Sequence, residues 1–317
     1  MTGYLVGRGV QSAIVLLVMS FVIYALIGLM PGDPIDLMIN SDPKMTSEDA
    51  ARLRALYGVD QPIFERYGRW LTAALGGDFG YSRTHARPVM EILLPALGNT
   101  VLLLGISFVL SLVLGLWLGI LAAMRPYSRT DYAVNLLAFA GISVPPFWLA
   151  LLLIIVFAVM LGVLPAGGVP MSEDPGLWDV LLYAVLPVAN LTIASVGSHT
   201  RFVRAAMIET LRQDFIRTAR AKGIGERRVI YKHALRHALV PVTTIVALNF
   251  GALFSGALIT ETIFAYPGMG KLIFDAIMGS DFNLALIALL FATLLTLVGN
   301  LLADLAYAAL DPRIRYG

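Results

Sequence analysis

Six long stretches of this chain contain no Asp, Glu, Lys, Arg or His, and no other feature restricts its fold as strongly. The stretches are Val10–Met30, Ala96–Met124, Ala133–Met171, Val180–Ser198, Ala238–Thr260 and Phe282–Ala303. A helix of roughly 20 apolar residues crosses a hydrocarbon core about 30 Å thick. With 58% hydrophobic and 14% charged residues, the composition lies far from that of an average globular domain. The pattern predicts an all-α integral membrane protein with six transmembrane helices.

The basic residues between these stretches are divided unequally between the two sides of the predicted membrane. If the amino terminus is cytoplasmic, 15 of the 23 Lys and Arg residues face the cytoplasm, together with only 6 of the 21 Asp and Glu residues. An excess of Lys and Arg in the inner loops is the usual arrangement of membrane proteins. We therefore expect both termini to be cytoplasmic.

The segment between the first two predicted spans, residues 32–95, is the longest outer segment in this orientation. It contains turn sequences at Pro31–Pro34 and Gly76–Asp78, and a helix is predicted over Ser47–Tyr57. We interpret the segment as a small extracytoplasmic insertion between helices 1 and 2. It belongs to a single transmembrane domain that covers residues 1–317.

A cationic segment, residues 199–237, separates the fourth and fifth predicted spans. Its ten basic residues are Arg201, Arg204, Arg212, Arg217, Arg220, Lys222, Arg227, Arg228, Lys232 and Arg236. One apolar helical stripe is predicted by five residues that recur every four positions: Val203, Met207, Leu211, Phe215 and Ala219. The Gly223–Gly225 step is expected to end this helix.

Two interpretations of the cationic segment fit the spacing. A short amphipathic helix with small residues at Ala219, Ala221 and Gly223 suits docking into a groove on a partner protein. Contact of the basic side chains with anionic lipid headgroups is the alternative. The residue spacing alone leaves both open.

The cationic segment also carries a family resemblance. Residues 217–223 read Arg-Thr-Ala-Arg-Ala-Lys-Gly, with Pro241 further on, and resemble the cytoplasmic loop through which binding-protein-dependent ABC importers hold their ATPases. The motif of that loop is Glu-Ala-Ala with a Gly four residues after its last Ala. Here Arg217, Thr218, Ala219 and Gly223 occupy those places, and the opening Glu is absent.

Four further stretches are similar to the peptide and nickel subgroup of these importers. In chain order they are Leu29–Pro34, Gly77–Gly80, Tyr266–Gly270 and Asp311–Tyr316. The resemblance therefore runs from the first span to the carboxyl terminus. On these motifs the chain is identified as a member of the inner-membrane permease family of dipeptide, oligopeptide and nickel ABC importers.

This resemblance implies a type I ABC importer transmembrane fold and a set of partners. Expected partners are a second homologous permease subunit, two cytoplasmic ABC ATPases, an extracytoplasmic substrate-binding protein and the bilayer of a bacterial or archaeal inner membrane, with no nucleic acid. The chain itself would hold no cofactor, because ATP and Mg²⁺ would bind to the ATPases. The residues expected to couple the chain to the ATPases are Phe215, Arg217, Thr218, Ala219, Arg220, Ala221, Lys222 and Gly223.

The sequence also argues against ATP hydrolysis by this chain. Gly268-Met269-Gly270-Lys271 resembles the end of a phosphate-binding loop, but that loop requires Gly where Ala265 stands and Ser or Thr where Leu272 stands. We interpret these residues as a turn between spans. ATP hydrolysis is therefore expected on another polypeptide.

Peptides are the expected substrate, with nickel or glutathione-like peptides as alternatives in the same family. A secondary transporter is the rival mechanism, and it would normally place acidic residues inside its spans, which the charge-free stretches lack. A membrane-embedded enzyme is a third possibility, but no nucleophile with a positioned base can be assembled from the sequence.

Overall fold

A computed structural model describes residues 2–29, 61–172, 174–240, 242 and 257–310. The described residues are mostly helical. The helices are α1 (Thr2–Ile27), α2 (Ile63–Leu75), α3 (Val89–Met124), α4 (Arg129–Ser143), α5 (Pro146–Leu153), α6 (Leu177–Leu211), α7 (Asp214–Ala221), α8 (Glu226–Arg228), α9 (257–263), α10 (Met269–Met278) and α11 (Phe282–Leu310). Two π-helical segments, Ile154–Met160 and Val229–Ala234, extend α5 and α8. The strands β1 (Tyr81–Ser82) and β2 (Arg87–Pro88) form an antiparallel hairpin before α3.

Four of these helices are long and apolar enough to cross a membrane: Val6–Ile27, Val89–Met124, Leu177–Leu211 and Phe282–Leu302. A fifth span is formed if α4 and α5 are counted together with the π-helical segment, although the pair is bent by 101°. The predicted span over Ala238–Thr260 lies largely outside the described residues. The predicted helix over Ser47–Tyr57 also lies outside them. The chain is therefore a mostly helical membrane protein with four or five apolar spans in its described part.

Two adjacent prolines produce the bend between α4 and α5. A residue before proline is disfavoured in the helical region, and both Val144 and Pro145 are extended, with ψ values of 124° and 133°. Pro146 then occupies the first turn of α5, where its missing N–H costs no helical hydrogen bond. The third apolar stretch is thus two helices with a sharp bend between them.

The chain divides into two compact units. The first contains Met1–Leu97 and Lys271–Leu295, and the second contains Gly98–Gly270 and Thr296–Gly317. In the first unit, aromatic rings hold α2 against α1. Phe21 stacks on Phe64 at 5.4 Å and meets Tyr67 edge to face at 5.2 Å, while the Tyr67 hydroxyl lies 2.6 Å from Ser20 Oγ.

Contacts within the first unit explain why the Gly77–Gly80 motif ends in glycine. Asn283, in the first turn of α11, donates hydrogen bonds to the carbonyl oxygens of Phe79 and Tyr81 at 2.9 and 3.1 Å. Gly80 has a φ of +69°, and a Cβ at this position would lie 2.5 Å from the Asn283 amide nitrogen. Both the backbone conformation and the close approach therefore require glycine.

The second unit contains two hydrophobic clusters. One lies between α3, α6 and the helices that follow α6, and includes Met207, Ile216, Ala219, Val229 and Ile230. The other joins α3, α5 and α6 to the residues after α9, and includes Leu103, Ala150, Leu186, Phe264 and Tyr266. The first cluster positions the segment that carries the expected coupling residues.

Candidate ATPase-coupling surface

Six of the eight expected coupling residues lie on a short separate helix, α7, and the other two, Lys222 and Gly223, follow its end. Helix α6 ends at Leu211, and the N–H groups of Arg212 and Gln213 bond back to Glu209 and Thr210 in a tight turn. Gln213 is extended, with a ψ of 151°, and α7 begins at Asp214. The prediction of one continuous helical stripe is therefore wrong, because the chain breaks its helix between Leu211 and Asp214.

This break changes which residues of α7 face the core. Ile216 is fully buried and Ala219 is 6% exposed, whereas Phe215 is 40% exposed. Ile216 and Ala219 pack in the same cluster as Met207 and Val229. The expectation that Ala219 offers a docking surface must be corrected, since its methyl group is covered by this chain's own core.

The other seven expected coupling residues are exposed: Phe215, Arg217, Thr218, Arg220, Ala221, Lys222 and Gly223. At 100° per residue, Arg217, Thr218 and Ala221 lie on the side of α7 opposite Ile216 and Ala219. This side, which we call the outer face of α7, combines one cation with two small side chains. Thr218 Oγ1 donates to the Asp214 carbonyl oxygen at 3.0 Å and so lies close to the helix surface.

The turn after α7 is fixed by a glycine and an ion pair. Gly223 has a φ of +75°, a conformation that other residues rarely adopt. Arg220 then reaches across the turn to Glu226 with two hydrogen bonds, of 2.5 and 3.1 Å. These bonds are the main cause that lowers the pKa of Glu226 and raises the pKa of Arg220. As both side chains are largely exposed, the pair contributes little to stability and mainly defines the geometry of the turn.

Phe215 occupies the flank of α7. Its ring lies 4.7 Å from the imidazole of His237, tilted by 50°. His237 lies in the helical residues that follow the π-helical segment Val229–Ala234. The Phe215 contact thus connects the start of α7 to the helix that leads into the next predicted span.

An ion pair that the sequence analysis missed lies between α4 and α6. The Arg204 guanidinium binds both carboxylate oxygens of Asp131, through Nε and Nη2, at 2.6 Å each. Asp131 also accepts from the Tyr127 N–H at 2.8 Å, and Ser128 caps the start of α4. The Ser128–Asp131 spacing is a helix-capping signal, but nothing local to Asp131 indicated its arginine partner.

A second missed residue, Glu261, organises the Tyr266–Gly270 motif. Glu261 is fully buried and accepts hydrogen bonds from Thr100 Oγ1 at 2.5 Å and from the Gly270 N–H at 2.7 Å. A Cβ on Gly268 would overlap the Glu261 carboxylate. The motif is thus a turn wrapped around a buried carboxylate, and α10 begins within it, at Met269. Lys271 lies in the first turn of α10 and pairs with Asp275.

Comparison with known proteins agrees with this architecture. Residues 115–316 match the family described as "Binding-protein-dependent transport system inner membrane component". Residues 1–104 match the corresponding amino-terminal family, "Binding-prot-dependent transport system membrane comp, N-term". Together the apolar helices and these matches define the membrane-embedded subunit of a solute transport system. The chain belongs to the inner-membrane permease family of binding-protein-dependent ABC importers.

Related proteins align with this chain over its whole length. The "Oligopeptide transport system permease protein AppB" of Bacillus subtilis is 38% identical over 318 residues, covering 100% of both chains. The "Dipeptide transport system permease protein DppB" of Alkalihalophilus pseudofirmus is 35% identical over 335 residues, again with full coverage of both. These matches confirm the predicted permease family.

Solved structures support the fold. The inward-facing MetNI methionine ABC transporter matches with a TM-score of 0.58 at 18% identity, covering 71% of this chain and 98% of that one. A second match, an amino acid ABC transporter, has a TM-score of 0.54 at 14% identity and covers 69% of this chain and 94% of that one.

The chain is a transport subunit and not an enzyme, and the ATPase of such systems is a separate subunit. Family membership excludes the secondary-transporter and membrane-enzyme alternatives.

Proposed function

We propose that this chain forms half of the translocation pathway of a peptide importer and that the outer face of α7 binds a cytoplasmic ATPase. The observation that carries the coupling role is the exposure of Arg217, Thr218 and Ala221 on a helix whose other side is anchored by Ile216. The peptide substrate is supported by the names of full-length relatives, which are oligopeptide and dipeptide permeases.

The anchoring of α7 suits a mechanical role. Ile216 and Ala219 share one hydrophobic cluster with Val203 and Met207 of α6. A displacement of α7 by a moving ATPase would therefore be passed to α6 and not absorbed by a flexible loop. ATP and Mg²⁺ would bind to the ATPases, of which two are expected, one for each permease subunit.

The proposed topology has six spans with both termini in the cytoplasm, as the distribution of basic residues predicts. Residues 199–237 then form the cytoplasmic coupling segment. The insertion at residues 32–95 faces the other side, where it would meet the loaded binding protein. A second homologous permease would complete the pathway.

The coupling role is tested by placing a carboxylate on the outer face of α7 and, separately, in the turn that precedes α7. Ala221→Glu puts a charge on the outer face without disturbing the core, so the chain should fold but fail to retain the ATPases on co-purification. Removing a close contact from an interface centre or burying an unpaired charge there typically costs several kcal/mol. Arg212→Glu, which changes an exposed charge beside α7, is the matched control.

The two interpretations of the cationic segment predict opposite orders for these variants. If α7 docks on a protein, Ala221→Glu is much the more harmful. If the segment only binds anionic lipid, Arg212→Glu is at least as harmful, because it removes one cation and adds one anion. Receptor-stimulated ATP hydrolysis in liposomes with and without anionic lipid distinguishes the two outcomes.

The substrate is tested on the cognate binding protein. Mass spectrometry of the material that co-purifies with it should detect peptides, and peptides should stimulate ATP hydrolysis by the reconstituted complex. Stimulation by a nickel complex or by glutathione, without stimulation by a mixture of di- to pentapeptides, would replace the peptide assignment.

A further inference from the structure

The Asp131–Arg204 pair is more buried and makes more hydrogen bonds than a typical surface ion pair. Asp131 is 2% exposed, and the planar guanidinium of Arg204 meets its carboxylate through two parallel bonds of 2.6 Å. Asn135 adds a third side-chain contact, donating to Asp131 Oδ1 at 2.7 Å. Two-point contacts of this kind fix orientation as well as distance. The pair therefore restrains how α4 lies against α6.

Close backbone packing reinforces this restraint further along the same two helices. A Cβ added to Gly197 of α6 would overlap the Ala138 carbonyl oxygen, and one added to Gly141 of α4 would lie 3.0 Å from the Ile193 carbonyl oxygen. The two glycines thus allow the helix backbones to approach closely. Arg201, which lies between Gly197 and Arg204 on α6, adds a further contact, because its guanidinium lies 4.6 Å from the centre of the Phe139 ring on α4.

The same helix, α6, leads directly to α7. Arg204 is flanked on α6 by Val203 and Met207, and both belong to the cluster that contains Ile216 and Ala219 of α7. On one side α6 is therefore attached to α7 by a hydrophobic core. On another side it is attached to α4 by the ion pair, the Arg201 contact and the glycine packing.

We propose that Asp131 and Arg204 are positioning residues that make α4 move as one body with α6 and α7, so that motion of the coupling helix reaches the bend at Val144–Pro146. This inference rests on the proposed coupling role of α7. Beyond the bend, α5 packs on α6 through a different cluster, which contains Ala150 and Leu186. The bend of 101° thus joins α4, which is tied to α6 by the ion pair, to α5, which packs on α6 through this second cluster.

The rigid attachment is tested by distance measurements in the assembled complex. The chain has no cysteine, so spin labels can be attached at Leu136→Cys on α4 and Glu209→Cys on α6, two exposed positions. We expect one narrow distance distribution in this pair, unchanged between the nucleotide-free complex and the complex trapped with ATP, Mg²⁺ and vanadate. In the Asp131→Asn background, the distribution should broaden or shift when ATP is trapped. A distance that changes in the parent chain, or stays fixed in Asp131→Asn, would overturn the proposal.

Function is measured in the same variants as substrate moved per ATP hydrolysed, with the peptide mixture and binding protein in liposomes. Coupling between sites typically changes a response by about 5-fold to 150-fold, and Asp131→Asn should lose an amount in that range while the ATPases still co-purify. Arg204→Lys keeps the charge but loses the two-point contact, so its loss should be smaller. Asp174→Asn, which neutralises an exposed carboxylate elsewhere, is the control and should behave as the parent chain.

The two proposals fail in different ways. If Ala221→Glu leaves ATPase binding intact, the coupling surface itself is wrong. If Ala221→Glu releases the ATPases while Asp131→Asn and Arg204→Lys keep the parent ratio of transport to hydrolysis, only the link between α4 and α6 is wrong. A merely structural role for the pair would lower the melting temperature without changing that ratio, and this result would also reject the proposal.

Discussion

Ser82 and Asp281 lie 199 residues apart in the chain, and the Ser82 hydroxyl donates a 2.5 Å hydrogen bond to Asp281 Oδ2. Thr84 donates to the same oxygen through its hydroxyl at 2.7 Å and through its N–H at 3.0 Å. Asp281 is fully buried, and its other oxygen accepts from the Leu284 N–H at 3.3 Å. A single carboxylate thus holds the β1–β2 hairpin to the start of α11.

Asp281→Asn should loosen this attachment. The amide has nearly the shape of the carboxylate, but it carries no charge and turns one acceptor into a donor that must face either Ser82 and Thr84 or the Leu284 N–H. Hydrogen bonds to charged groups contribute about 1.5–3 kcal/mol each, so we expect a loss of about 3 kcal/mol in the free energy of unfolding. The measurement is the melting temperature of the purified protein in detergent.

Asp275→Asn is the matched control for this substitution. Asp275 belongs to the same unit but is half-exposed and pairs with Lys271 on the surface of α10. Exposed ion pairs contribute about 0–1 kcal/mol, so this variant should melt close to the parent protein. Equal losses in the two variants would show that burial of the Asp281 carboxylate is not what stabilises the hairpin.

The same carboxylate predicts a dependence on pH. Burial alone would raise the pKa of Asp281, but the hydrogen bonds from Ser82, Thr84 and Leu284 outweigh it, and the pKa falls below the ordinary value of 3.8. A lowered pKa in the folded state stabilises the fold above the unfolded pKa, and this contribution is lost as the pH falls through the folded pKa. The difference in melting temperature between the parent protein and Asp281→Asn should stay constant down to about pH 5 and shrink below pH 3.8. A difference in melting temperature that is largest at acidic pH would contradict this prediction.

The sequence predicts the spans and the family motifs better than the contacts that the motifs make. Charge-free stretches are detectable because charged side chains are costly, and therefore rare, in the hydrocarbon core of a membrane. The buried carboxylates that organise the structure cannot be recognised in this way. Asp281 meets Ser82, Glu261 meets Thr100 and Asp131 meets Arg204 at separations of 199, 161 and 73 residues. Such pairs depend on which helices pack together, and local spacing contains no information about that.

The coupling helix shows a second limit of sequence analysis. A four-residue spacing from Val203 to Ala219 fits one helix, yet the chain turns at Arg212 and Gln213, and the register of the buried face moves from Phe215 to Ile216. A strong signal for this break is absent, because Arg and Gln both favour helices. The turn is set by packing of Ile216 and Ala219 under α6, which is a tertiary effect.

Neighbouring substitutions on α7 should therefore have opposite consequences. Ile216→Ala removes buried volume from the core, and such changes cost about 2–5 kcal/mol. Phe215→Ala removes a ring that is 40% exposed, so it should lower the melting temperature less than Ile216→Ala does and should weaken ATPase binding. Thermal unfolding and co-purification of the ATPases measure the two effects separately. Strong destabilisation by Phe215→Ala would place the core on the other side of the helix.

The proposed orientation predicts which residues an impermeant thiol reagent can reach. Because the chain has no cysteine, single cysteines can be introduced at two exposed sites, Ser172 between α5 and α6 and Thr130 in the first turn of α4. In intact cells stripped of any outer membrane, Ser172→Cys should react and Thr130→Cys should react only after lysis. The reverse pattern would invert the topology and move α7 away from the cytoplasm.

Two glycines within apolar helices should respond differently to an added methyl group. A Cβ on Gly197 would overlap the Ala138 carbonyl oxygen and lie 2.9 Å from Ile142 Cγ1, whereas a Cβ on Gly105 would have no neighbour within 4 Å. Gly197→Ala must push α4 away from α6, and overpacking of this kind costs about 1–3 kcal/mol. Gly105→Ala should be neutral or gain up to about 1 kcal/mol, because alanine favours the helix.

The Gly197 and Gly105 variants also connect packing to transport. Separation of α4 from α6 should weaken the contact between Asp131 and Arg204 as well, so Gly197→Ala should lower both the melting temperature and the amount of substrate moved per ATP. Gly105→Ala should keep both at the parent level, measured in the same liposomes. If Gly197→Ala melts and transports as the parent protein does, the close approach of the two helices is not needed for either property.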